Sequence, residues 1–369
     1  MTHLLSILER DAVELVALID PQEEPVELLL AAVREQAPAA PEPARFTTLE
    51  AALERDRFDI IVIATPSGAH VDLAIEAARS GAHVLVEKPV DVSVAQAKRL
   101  LEVAEDVAQR GQVVSVVSQH RFDPASRVVK DAIEEGEFGR LTSAVASVAW
   151  WRTQDYYDSG DWRGTWDLDG GGALMNQGVH TVDLLLWMFG RPTHINAMTT
   201  LIAHDRIEVE DVAVATIRFE SGALATLHAT TAAFPGLTVR LQVHGTQGSA
   251  VVDDDQLAFY ATSDPASYDV TGGDKASNTA AEHVSGEHLG GQPKGPGWFA
   301  RGHSRQYDDF LGAIHEGRTP GVTVADAVLS VAAVRAVYLS ATLNTTIVLS
   351  DVLDGTYDSV VTRVGETTS

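Results

Sequence analysis

"DIIVIATPSGAHVDLAIEAARSGAHVLVEKPV", residues 59–90, sets the architecture of this chain. Two continuous apolar runs, 59–65 and 83–87, enclose a helical pattern over 70–81 in which Gly81 suits a C-terminal cap. Continuous β-branched runs, as opposed to alternating ones, belong to strands buried on both faces. A helix between two of them makes a parallel β-α-β unit. Each strand ends in polar chemistry, "TPSGAH" (65–70) and "EKPV" (87–90), and in an open parallel sheet ligands sit at the carboxyl ends of the strands. Lys88 is a site candidate on that ground, although a lone surface lysine is usually only a solvated charge.

The same alternation continues in both directions. Upstream, "ELVALI" (14–19) closes on Asp20 and Pro21 and precedes the periodic "VELLLAAVREQ". Downstream, the helical pattern after Ser93 predicts a capping box with Gln96 and a stop at Gly111, and "VVSVV" (113–117) completes the set. After about residue 125 the pattern changes to period-2 runs such as "LTSAVASVAWW", "DVAVATIRFE", "ALATLHATT" and "LTVRLQVHG". These predict a mostly antiparallel sheet, with hairpin turns at 220–223 and 245–248. Residues 262–300 read as a long loop without periodicity, followed by two helices and a loose tail.

At 369 residues the chain exceeds what one core usually holds, so two domains are expected. Hydrophobic residues make up 45% and charged residues 21%, a globular balance. With 52 acidic against 27 basic side chains, net −25, the surface repels phosphate backbones and anionic lipid. Nucleic-acid and membrane partners are therefore not expected. No cysteine is present, which removes disulfides, thiolate zinc sites and cysteine nucleophiles. No uncharged apolar run approaches the ~20 residues of a membrane span, and Glu9, Arg10 and Asp11 interrupt any signal-like start. A cytoplasmic location is expected.

The second chemical stretch is "GGGALMNQGVHTVDLLLWMFG", 170–190. Read as a helix from about Leu174, it sets Asn176, His180 and Asp183 on one face at i, i+4 and i+7. Three polar groups striped along an apolar helix are costly to bury unless they are paired or used. A core histidine satisfied by a carboxylate is the plainer reading. The glycine triplet, which permits close approach of a ligand, favours the functional one. "HVSGEH" (283–288) lacks a helix to aim its histidines at one metal, and "DDD" (253–255) reads as a solvated acidic patch. No metal site is expected.

"EKP" after a strand, followed by "GGGALMNQGVHTVD", "YYDSGDWRGTW" (156–166) and "GHSRQYDDFLGAIHEGR" (302–318), resembles the Gfo/Idh/MocA family of NAD(P)-dependent oxidoreductases. The resemblance runs from His3 to about residue 345. It implies an α/β protein with a Rossmann-type parallel-sheet domain over 1–122 and an α+β domain with a large, mostly antiparallel open sheet over 123–345. A C-terminal strand and tail, 346–369, would follow. It implies dehydrogenation of a secondary alcohol on a sugar, cyclitol or sugar derivative. Lys88 would lie beside the nicotinamide and the substrate hydroxyl, with His180 as general acid/base. Asn176, Asp183, Arg163 and Tyr157 are the substrate-binding candidates. Thr65, Pro66, His70, Glu87, Lys88, Gln119, Trp162 and Arg163 are the cofactor candidates. Many members carry Asp where this chain has Asn176, so carboxylate assistance to His180 is absent. The family also contains NAD-dependent glycosidases, and a non-catalytic member without cofactor is a further alternative. A homo-oligomer, dimer or tetramer, is expected by analogy.

Asp20 closes what reads as the second strand of a dinucleotide fold, where a carboxylate accepts from the adenine ribose. No Arg or Lys follows in the next ten residues, which predicts NAD over NADP. The glycine fingerprint should precede such an acid by about 20 residues, upstream of Met1. His3 is then the histidine that often follows the glycine loop in this family. On this reading the first strand and glycine loop are missing and the true start lies upstream. The chain as given is then expected to bind NAD poorly.

Overall fold

The computed structural model describes residues 1–160, 162–264 and 277–364. Its first third alternates α1 (Thr2–Leu8), β1 (Ala17–Ile19), α2 (Glu23–Gln36), β2 (Ala44–Phe46), α3 (Leu49–Arg55), β3 (Ile60–Ile63), α4 (His70–Arg79), β4 (His83–Val86), α5 (Val94–Ala108) and β5 (Val114–Val116). Every pairing here is parallel, β1 with β2 and β3-β4-β5. Among the described residues β1 and β3 share no ladder. The sequence reading missed β2 and α3. β2 has three residues with Arg45 at its centre and Pro43 before it, too short to show a period.

The buried runs behave as continuous strands should. Val84 and Val86 join Ala74, Ala78, Ala97 and Leu100 of α4 and α5 in the main core. Leu85 faces the other way, onto Tyr307 and Phe310. Gly81, at φ +102°, follows α4 as predicted. The predicted capping box at α5 is only half formed. Ser93 accepts from the Gln96 backbone N–H, but its own N–H donates to Asp91 Oδ1 (2.8 Å), so Gln96 does not reciprocate.

The rest of the chain comprises α6 (Pro124–Glu134), β6 (Leu141–Ala149), α7 (Gln154–Asp158), a π-helical turn over Ala173–Gly178 that runs into α8 (Val179–Phe189), and β7 (Pro192–Thr200). Then come β8 (Val212–Phe219), β9 (Leu224–Thr230), β10 (Val239–Gly245), β11 (Gly248–Asp253), β12 (Gln256–Thr262), α9 (Ala280–His283), α10 (Trp298–Glu316), α11 (Val324–Leu343), β13 (Ile347–Val348) and α12 (Leu349–Leu353). The sheet order is β12-β11-β10-β6-β9-β8-β7-β13, antiparallel except for β6 beside β9. The hairpins at 220–223 and 245–248 join β8 to β9 and β10 to β11, as read from the turn residues. Helices α8 and α11 pack on one face, against β6 and β7. The other face turns Val145, Met198, Val214 and Leu224 outward.

Two expectations change. The described part of the 262–300 loop carries α9 and a short 3-10 turn, and its histidines are stacked, His283 on Tyr260 and His288 on Trp298. Residues 265–276 lie outside the described residues. The described part of the tail is tied down, because Arg335 donates to Thr362 Oγ1 (2.9 Å) and Arg363 N–H to Thr342 Oγ1 (3.0 Å). Helix α11 is long and apolar enough to cross a membrane, and 72% of its most apolar window is buried inside the protein. It is the central core helix, packed on β7, α5 and α8. Helix α10, late in the chain, returns to cover the second face of the parallel sheet through Tyr307, Phe310 and Ala313.

Candidate active site

The carboxyl edge of the parallel sheet is held by a histidine. His70, the first residue of α4, is buried with Nδ1 2.8 Å from the Pro89 carbonyl oxygen and Nε2 2.7 Å from that of Thr65. Burial lowers the His70 pKa, so the neutral ring has one N–H to donate to one of these two carbonyl oxygens at a time. The ring is wedged between the turn after β3 and the turn after β4, with no nitrogen directed toward a cofactor, contrary to expectation. Thr65 and Pro66 lead into the 3-10 turn Ser67–Ala69 at this edge. Asp20 follows β1, with Oδ1 accepting the Gln22 N–H (2.8 Å) and Oδ2 without a partner among the described residues. Arg34 of α2 and Arg45 of β2 are paired with Glu42 and Glu27, and Arg55 lies over the Phe46 ring.

After β4, Glu87 accepts from His3 Nε2 (2.9 Å) and from the Lys88 N–H (2.8 Å), and His303 of α10 lies 3.8 Å away. Burial acts to raise its carboxyl, but the two histidines and Lys88 hold it well below the usual carboxylate range. The Lys88 ammonium reaches the Asn176 carbonyl oxygen at 3.3 Å. Burial lowers its pKa, and the negative charges of Glu87 and Asp169 resist.

That carbonyl belongs to the π-helical turn, so the predicted i, i+4, i+7 stripe of an α-helix fails at its first member. Wider turns of this kind occur mostly at functional sites. The turn is anchored from β8's side of the fold. Buried Glu210 accepts from the N–H groups of Gly172 (2.9 Å) and Leu174 (2.8 Å) and from the Tyr338 hydroxyl (3.0 Å). The glycine triplet serves this packing. A Cβ on Gly170 would strike Val92, on Gly171 the Tyr338 hydroxyl, and on Gly172 the Glu210 carbonyl oxygen. Asn176 donates through Nδ2 to the Gly171 carbonyl (2.9 Å). Beside it, Asp169 accepts the Gly164 N–H (2.8 Å) through Oδ2, while its buried Oδ1 has no hydrogen-bond partner. Burial pushes the Asp169 carboxyl up, against the pull of Gly164, Asn176, Arg163 and Lys88.

His180 has no hydrogen-bond partner among the described residues. Burial first, then the charges of Lys88 and His120, hold its imidazole well below the ordinary histidine range, so the ring is neutral at pH 7. His120 stands 5.0 Å from it, ring planes at 82°. Asp183, expected to orient substrate, is instead consumed. Arg121 grips it with Nε (2.7 Å) and Nη2 (2.6 Å), and Ser118 and Ser330 donate to the same carboxylate. A buried carboxylate in a bidentate arginine pair is satisfied and has no lone pair to spare for a sugar.

On the side formed by the large sheet, Tyr156 lies under two guanidinium groups, Arg163 at 4.4 Å and Arg152 at 4.9 Å from its centroid. Its hydroxyl accepts from Arg163 (2.9 Å) and Gln177 (3.1 Å). Trp162 stacks on Arg163 at 4.3 Å. Tyr157, the predicted contact, points inward to Thr231 Oγ1 (2.8 Å), and it is Tyr156 that reaches the π-helical turn, through Gln177. Reading the sequence also missed His120, Arg121, Asp123, Asp169 and Glu210. "SQHRFD" follows β5 as "EKP" follows β4, so the strand-end rule could have found the first three. Gln119 lies in the same segment with its amide 3.2 Å from His120 Nε2; with the amide turned over, its Oε1, which has no partner among the described residues, accepts the Nε2–H of a charged His120. The "DDD" patch is corrected too. Asp255 reaches His120 Nδ1 at 3.0 Å and is not a solvated charge.

Residues 1–117 match the family model for the NAD-binding Rossmann fold of these oxidoreductases, and residues 126–251 match the Gfo/Idh/MocA C-terminal domain. The chain is similar to the WlbA dehydrogenase of Bordetella pertussis, solved in complex with NADH and UDP-GlcNAcA. The two are 30% identical, with a TM-score of 0.77 over 94% of this chain and 93% of that one. It is 27% identical to levoglucosan dehydrogenase of Pseudarthrobacter phenanthrenivorans, over 72% of this chain and 74% of that protein. It is also 27% identical to scyllo-inositol 2-dehydrogenase (NAD(+)) of Bacillus subtilis, over 55% of each. The chain belongs to the Gfo/Idh/MocA family of oxidoreductases, with an NAD-binding Rossmann fold. The expected family, fold class, enzyme class and cofactor are thereby borne out.

Proposed function

We propose that this chain oxidises a secondary alcohol on a sugar, cyclitol or sugar derivative, using NAD. The observation that carries this reading is the unpartnered, neutral imidazole of His180 beside a lysine ammonium that is bound only to a backbone carbonyl. His180 has a lone pair free to accept the hydroxyl proton. Lys88 stabilises the alkoxide that develops. Asn176 and Tyr156, with Arg152 and Arg163 stacked on the latter, form the wall that orients the polyol. The relatives that act on levoglucosan and scyllo-inositol support the substrate class.

The residues present fit the adenosine and nicotinamide ends of NAD, while among the described residues no glycine loop precedes α1 to take its pyrophosphate. The unpartnered Oδ2 of Asp20 suits a ribose hydroxyl and repels a 2′-phosphate, and Arg34 and Arg45 are paired with carboxylates. Asp20, Thr65, Pro66, Glu87, Gln119, Trp162 and Arg163 would hold the cofactor, which supplies the hydride-accepting ring. We further propose a homo-oligomer assembled through the uncovered face of the large sheet.

A panel of sugars and polyols followed by NADH absorbance tests the activity. Substrate-dependent NADH formation that disappears in His180→Ala supports the reading. Release of a leaving group without net NADH would instead indicate a glycosidase.

A further inference from the structure

His120 is built into the site more firmly than a surface histidine would be. Its Nδ1 lies 2.9 Å from Asp123 Oδ2 and 3.0 Å from Asp255 Oδ1. Carboxylates only accept, so this nitrogen carries a proton shared between two anions. Each anion is braced from a third direction. Arg305 of α10 donates to Asp123 (2.6 Å), while Lys294 (3.7 Å) and the Trp298 indole N–H (3.3 Å) approach Asp255. Asp255 and Asp254 form the β11–β12 turn with φ of +64° and +53°, a left-handed pair that non-glycine residues rarely adopt. That turn aims the Asp255 carboxylate back across the fold at His120. Segments after β5, between β11 and β12, and at the start of α10 thus converge on one imidazole, whose ring stands almost perpendicular to that of His180.

We propose that His120, clamped by Asp123 and Asp255, is a positioning residue that holds the His180 ring in place and keeps it unprotonated for catalysis. This rests on His180 being the base. Burial would lower the His120 pKa, but Asp123 and Asp255 push it up to about 10, so the ring is a cation throughout the working range. The charges that face His180 are Lys88 and Glu87 from the end of β4, His120 after β5 and His303 of α10. Asp183, one turn along α8, is neutralised by Arg121. Lys88, His120 and His303 oppose a proton on His180 and only Glu87 favours one.

The test is the pH profile of kcat/KM for alcohol oxidation. In the wild type the acid limb lies below the ordinary histidine range. His120→Gln should move it upward by about one pH unit, since one adjacent charge is lost. His120→Lys, which restores a cation, should move the limb back. An unmoved limb in His120→Gln overturns the proposal. Nuclear magnetic resonance titration of histidine side chains in the unmodified protein gives a readout independent of variant folding. His120 doubly protonated and His180 neutral at pH 7 are expected, and a neutral His120 overturns the proposal. His180→Ala run in parallel separates the two ideas. If that variant stays active the base assignment fails. If it is inactive while His120→Gln keeps the wild-type limb, only the role of His120 fails.

Discussion

At the scale of single residues, the site rests on two groups whose chemistry is unspent. His180→Ala and Lys88→Ala should each lower kcat/KM by roughly 100-fold or more, the usual worth of a positioned acid–base group. Their melting temperatures should stay close to the wild type, since neither side chain is bonded to another. Asp183 makes the opposite prediction. Its Asn variant leaves Arg121 with only Asp326, 3.4 Å away, so stability should fall, by less than the about 3–5 kcal/mol of a buried charge left without any partner. Urea unfolding should register that loss. Asp20→Ala should narrow the preference for NADH over NADPH, measured by comparing their binding constants. Lys88 and His180 were legible in the sequence because a strand end and an apolar helix face are local facts. The choice of Tyr156 over its neighbour Tyr157 was not. The short helix α7 sets which ring turns inward, and nothing in five residues fixes that phase.

At the scale of elements, the π-helical turn and the glycines before it decide how the catalytic helix enters the site. Gly172→Ala puts a methyl group 1.8 Å from the Glu210 carbonyl oxygen, a backbone atom that cannot swing aside as a side chain can. Such overpacking should cost about 3 kcal/mol or more. Gly81 has open space around it and only its left-handed φ to lose, so Gly81→Ala should cost about 1 kcal/mol. Denaturant titration of the two variants checks the contrast. Long elements such as α10 and α11 were readable from period alone. The π turn was not, because its register depends on Glu210 and Tyr338, which lie far along the chain.

At the scale of the whole molecule, three buried groups tie stability to pH. His120 has a folded pKa of about 10 against an ordinary 6.5, so its contribution is full below pH 6.5 and is lost as pH rises through about 10. Glu210 is raised from 4.5 to about 7, and that contribution too is lost as pH rises, through about 7. Glu87 is depressed, so its contribution is present above pH 4.5 and lost on the acid side. Thermal melts should therefore show a falling melting temperature from pH 7 to 10, with a flatter fall in His120→Gln. On the uncovered sheet face Met198 stands opposite Val214, 74% and 49% exposed. Light scattering should find an assembly that Met198→Asp weakens. What the sequence determined by itself was periodic: buried parallel strands, an alternating sheet, an apolar central helix, and polar residues at strand ends. Hydrophobic period fixes burial and strand direction locally, so these survive without knowledge of partners. Only the tertiary structure decided which polar groups are spent on one another. Arg121 consumes Asp183, Thr65 and Pro89 consume His70, and Asp255 crosses the fold to His120. Hydrogen bonds and ion pairs act over a few ångströms, and sequence separation says nothing about distances that short.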